Sequence, residues 1–93
     1  MQYDVCEWDE EGDPNGNVQH VAAHDVSMEE FQEVLDSVPR RSVGPSHSNP
    51  AHMTVVGETG TGRELRIVFV LDEDGGFIHV RPVTAYDPSE PGD

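Results

Sequence analysis

The chain has 93 residues, 34% of them hydrophobic, with 9 glycines, one cysteine and no lysine, which is room for one small domain burying roughly 60 to 65% of its unfolded surface. Nineteen acids oppose five arginines for a net charge of -14, and this disfavours a broad footprint on DNA or RNA, which needs clustered Lys and Arg. Cys6 alone excludes an internal disulfide or a cysteine-based zinc cluster, no run reaches the ~18 apolar residues of a membrane span, and the lack of a basic, apolar leader points to the cytoplasm.

Residues 3–8 alternate weakly and predict a first strand. The turn-rich EEGDPNG of residues 10–16 follows, and Asp13 ahead of Pro14 is placed to cap a helix that begins at the proline. Val18, Val21 and Ala22 recur at helical spacing and carry that helix to about His24. Ser27 and Glu30 form a capping box, and Met28, Phe31, Val34, Leu35 and Val38 extend from it on one face until Pro39 ends the helix. Residues 40–50 read as a polar loop. Residues 53–56, 65–71 and 77–83 are three strands rich in β-branched and aromatic side chains, the last two joined by a hairpin at residues 72–76. Leu65, Ile67, Phe69 and Leu71 alternate with Val68 and Val70, which predicts a central strand covered on both faces. The order is β-α-α-β-β-β in one domain over residues 1–86, with residues 87–93, DPSEPGD, as a fraying acidic tail.

Charge is unevenly spread. Residues 1–37 carry 11 acids and no base, residues 38–71 carry four arginines against two glutamates, and residues 72–93 carry six acids against Arg81. The segment GETGTGRE, residues 57–64, has the glycine spacing of a phosphate-binding loop. Arg63 and Glu64 stand where that loop needs Lys and Ser/Thr, and a strand follows instead of a helix, so it reads as a turn between antiparallel strands. His20 and His24 share a helix face at a spacing that can hold zinc; a third ligand would have to come from Glu29, His52 or His79 and nothing local demands it, so no metal and no cofactor is expected. If Arg66 and Arg81 project to one side of the sheet, they can hold a phosphate while His52 or His79 moves a proton; the plainer reading is that the arginines pair with nearby acids.

The ordered residues resemble a known family. Asn17, His20, Val21, His24, Val26, Ser27, Glu29, Glu30, Glu33 and Val34 resemble the NxxHIxxHGVSxEExxEV stretch of the BrnT toxins of type II toxin–antitoxin systems. Trp8 and Asp9 resemble that family's opening WD; Gly57, Thr59, Gly62, Arg63 and Leu65 its GxTxxGRxL; and Arg81, Pro82, Val83, Thr84, Ala85 and Asp87 its IRPITARD. The resemblance spans about residues 5–88.

It implies a RelE-like α+β fold, an antiparallel sheet with two N-terminal helices packed on it. It also implies a metal-independent endoribonuclease acting on translation, neutralised by a BrnA-like antitoxin with a ribbon-helix-helix part. In that reading His24 or His52 serves as acid or base, Arg63 and Arg81 hold the phosphate, and Tyr86 orients the RNA. The chain departs from the pattern at Ala23 and Tyr86, where the family is basic, at Asp25, where it has Gly, and at His52, where it often has Arg. The family's basic C-terminal helix is replaced by PSEPGD. Each of these changes but that at Asp25 directly removes positive charge, so the expectation is a weak or degenerate ribonuclease that binds RNA weakly. The alternative is a non-catalytic acidic adaptor that keeps only the fold.

Overall fold

A computed structural model describes residues 1–89. The elements are β1 (Val5–Cys6), α1 (Asn17–Ala22), α2 (Met28–Ser37), a 3-10 turn (Arg40–Ser42), β2 (Gly44–Pro45), β3 (Met53–Glu58), β4 (Glu64–Asp74) and β5 (Phe77–Tyr86). The fold is α+β, with two helices on a five-stranded sheet of order β1-β5-β4-β3-β2. The expected order of helices and strands is present with one added strand, the two-residue β2 inside the segment read as loop. The pairs β2–β3, β3–β4 and β4–β5 are antiparallel, whereas β1 runs parallel to β5, so the sheet is mixed.

α2 begins as its sequence dictates. Ser27 accepts from the Glu30 backbone N–H while the Glu30 carboxylate accepts from the Ser27 N–H, both at 3.1 Å, satisfying two of the donors a helix start leaves open. Its apolar face places Phe31, Val34 and Leu35, all fully buried, against Leu65, Ile67 and Phe69 of β4, with Val55, Val80 and Ala85 from the flanking strands and Val21 from α1. α2 lies close over β3: a Cβ at Gly57 would stand 2.7 Å from Val38 Cγ1, and the glycine permits that approach.

α1 starts later than the sequence predicts. Asp13 and Pro14 form a turn, closed by the Gly16 N–H on the Asp13 carbonyl, and the helix opens at Asn17. Asp9 supplies the cap from across the loop, accepting from the Asn17 N–H at 2.9 Å. α1 ends in a Schellman motif, with Val26 N–H on the Val21 carbonyl and Asp25 N–H on the Ala22 carbonyl. That motif needs a left-handed residue after the helix, and Asp25 takes the position at φ 60°.

The hairpin turn between β4 and β5 is Gly75 and Gly76, both at positive φ, as a two-residue turn requires. β5 runs past the expected end at residue 83 because Val83 is bulged: Val68 pairs with Thr84 and Phe69 with Pro82. The extra residue keeps both Pro82 and Ala85 on the core side. The expectation of cover on both faces of β4 does not hold. The helices cover one face; on the other, Val68 is buried but Val70 is 37% exposed. Asp87 closes a turn by accepting from Ser89 N–H and hydroxyl; the rest of the expected fraying tail lies outside the described residues. Among the described residues, no helix is long and apolar enough to cross a membrane.

Candidate functional site

The residues singled out from the sequence fall into three places. At the junction of α1 and α2, His24 packs its ring on Tyr86 with centroids 5.8 Å apart. Arg63 reaches the same junction from the β3–β4 turn, where Thr59 Oγ1 accepts from the Arg63 N–H. Its Nη1 donates to the Asp25 carbonyl at 2.6 Å and to both Glu30 carboxylate oxygens at 3.2 and 3.1 Å. Arg63 is thus a brace that ties the turn to the start of α2. The segment GETGTGRE forms a turn, as its missing Lys and Ser/Thr predict, with Gly62 at φ 85°.

Partial burial works to raise the Glu30 carboxyl, but the hydrogen bonds from the Ser27 backbone and from Arg63 outweigh it, so Glu30 lies below its ordinary 4.5. A depressed carboxyl gives stability that is fully present above its unfolded value and lost as pH falls through its folded value. Thermal melts from neutral pH downward are therefore expected to show a melting temperature that declines below about pH 4.5. In Glu30→Gln that decline is shallower and the two curves converge in acid. Parallel curves would refute this linkage.

The second place is the end of the sheet carrying β1. Arg81 Nη2 donates to both Asp9 carboxylate oxygens at 3.0 Å and Nη1 lies 3.7 Å from Glu7. Glu7 also meets His79 at 2.8 Å. The backbone N–H of Asn17, then the Arg81 guanidinium, hold Asp9 below its ordinary carboxylate range. Arg66 and Arg81 do project to the same face of the sheet, since they pair with Tyr86 and Val70 on alternate positions. Four residues of β4 separate them, about 13 Å at ~3.3 Å per residue, and Arg81 is turned to Asp9 and Glu7 while Arg66 meets Thr54, so the two guanidinium groups serve different places.

The third place is the face of the sheet opposite the helices. A cleft of about 570 Å³ opens there between the loop after β2 and the strands, lined by Ser46, His47, Ser48, Thr54, Arg66 and Tyr86. His52 stands at its margin with Nε2 3.4 Å from the Asn49 amide, and its carbonyl accepts from Ser46 N–H. Tyr86 joins the first and third places, touching His24 and lining the cleft beside Arg66, its partner across the β4–β5 ladder. Arg66 was legible in the sequence as a strand arginine, but its membership in a cleft with the Ser46–Ser48 loop was not, because that depends on where the loop lands.

Burial raises the Cys6 thiol to about 11, which keeps it protonated and unsuited to nucleophilic chemistry at neutral pH. Among the described residues, no three His, Cys, Asp or Glu side chains converge as a metal site. Compared with protein-family models, with curated proteins and with solved structures, the chain matches none.

Proposed function

We propose that this protein is a BrnT-like member of a type II toxin–antitoxin system whose ribonuclease site is internally neutralised, and that it acts by binding a basic protein partner of the BrnA antitoxin kind. The observation that carries this reading is the pairing of the two arginines that the resemblance assigns to the phosphate. Arg63 is held by Glu30, and Arg81 by Asp9 and Glu7. A phosphate would have to displace carboxylates already in place, at a protein carrying -14 overall. Two further observations support the family assignment. The element order agrees with it, and the position where the family has Gly is one where the backbone takes φ 60°, a conformation Gly adopts without strain.

The purified protein is expected to cleave a long unstructured RNA slowly or not at all. Its expression is expected to slow growth only weakly, with relief by co-expression of the adjacent gene. Rapid cleavage abolished by His24→Ala would replace the neutralised site with an active one. A second reading, a non-catalytic acidic adaptor that keeps only the fold, is favoured by the charge alone. It predicts no effect on growth and no complex with the product of the adjacent gene.

A further inference from the structure

Three arginines, Arg40, Arg63 and Arg81, each have a carboxylate within 4.0 Å. Arg66 differs from them. It is half-buried on the floor of the cleft, and among the described residues no carboxylate approaches it to ion-pair distance. Its side-chain partner is the Thr54 hydroxyl, 3.3 Å from Nη1. That hydroxyl spends its own proton on the Ile67 carbonyl at 2.9 Å, so it meets Arg66 as an acceptor. One N–H of the fork is thereby engaged, and the others remain for a ligand.

The remaining walls of the cleft carry hydroxyls. Ser46 and Ser48 stand 3.1 Å apart on the loop after β2, and Tyr86 rises beside Arg66. Among the described residues, no acid lines the cleft. We propose that it is a binding site for a small phosphate monoester, with the Arg66 fork on two phosphate oxygens and the Ser46 and Tyr86 hydroxyls on the third. The donors come from the sheet floor and from the loop wall, which suits a tetrahedral anion better than a planar carboxylate, and Arg presents the bidentate geometry that phosphate accepts. The space also exceeds what a bare phosphate fills and falls in the range of small-molecule sites, so the organic part of the ester has room. This site uses neither Arg63 nor Arg81, and it stands whether or not the toxin-family reading does.

Titrations followed by amide resonances test it, with inorganic phosphate, ribose 5-phosphate and adenosine 5′-monophosphate, each ester set against ribose or adenosine. Saturable shifts confined to the Ser46–Ser48 loop, Thr54, Arg66 and Tyr86 are expected for the phosphorylated compounds only. Arg66→Gln is expected to weaken binding by about 10- to 100-fold, as loss of charge-assisted hydrogen bonds does, while Arg41→Gln, at an exposed arginine, leaves it unchanged. Arg66→Lys keeps the charge and loses the fork, so an intermediate loss in a folded variant supports the proposal even if Arg66→Gln unfolds. Absence of saturable shifts at millimolar ligand, equal binding of acetate, or equal binding of a dinucleotide carrying only a phosphodiester would overturn it.

Discussion

Phe31→Ala is expected to destabilise the protein by about 3–5 kcal/mol and to lower its melting temperature by tens of degrees, since each kcal/mol is worth about 4–8 °C in a domain this size. Phe31 is fully buried in the middle of α2 and sits among the side chains that α2 lays on β4. Its ring also meets Trp8 edge-to-face at a centroid distance of 5.3 Å. The indole Nε1 of Trp8 is buried without a hydrogen-bond partner among the described residues, so the ring relies on packing against the core, of which Phe31 is a part. A total stability of about 5–15 kcal/mol leaves little beyond such a loss. Calorimetry showing an unchanged melting temperature would refute this account of the core.

Asn17→Ala is the second large effect expected, about 2–4 kcal/mol, and its cause is polar. Asn17 is 4% exposed. Its Oδ1 accepts from the Asp9 N–H at 2.8 Å, and its Nδ2 donates to the Glu7 and Pro82 carbonyls at 3.0 Å each. One side chain therefore joins the loop after β1, the start of α1 and the bulged part of β5. Alanine leaves three backbone groups without that partner, and an unsatisfied buried group costs about 1–3 kcal/mol before water reaches it. Asn17→Asp separates this from loss of bulk. It keeps the shape but turns a carboxylate toward two carbonyls, so it should melt lower than wild type at neutral pH and recover part of the difference in acid. If Asn17→Asp melts like wild type at pH 7, the hydrogen-bond account fails.

Local chemistry was what the sequence displayed best. The capping box at Ser27 and Glu30 and the apolar face with Phe31 and Leu35 each act within a few residues and stand where the pattern put them, while the hairpin read over residues 72–76 tightens to Gly75 and Gly76 as the strands run on to Asp74 and Phe77. Start and end points set by distant residues were less legible. α1 opens at Asn17 because Asp9 caps it, and β5 continues past residue 83 because Val83 bulges against β4. The same holds for charge. Nothing in the order of residues says that Asp9 will hold Arg81, 72 positions away, or that Arg66 will be left to a threonine. The sequence names the arginines, but only the packing decides which of them an acid has already claimed. β2 was hidden for a similar reason, since Gly44 and Pro45 have no strand preference and are extended by the ladder with Met53 and Thr54.

The parallel edge pairing has a consequence for the time course of folding. β4 and β5 meet across a two-residue turn, whereas β1 docks on β5 through contacts such as Ile78 N–H on the Asp4 carboxylate, 74 positions apart in the chain. Closing a loop of that length costs about 4 kcal/mol of chain entropy beyond the constant part, and the two residues of β1 return few hydrogen bonds against it. Assembly is therefore ordered from the inside of the sheet outward: the hairpin forms, α2 collapses on it, and the amino-terminal strand joins after both have shortened the loop it must close. What arrives last is then locked by side chains and not by the ladder: the Asp9–Arg81 and Glu7–His79 contacts and the Asn17 bonds hold an edge that two residues of backbone pairing hold only weakly.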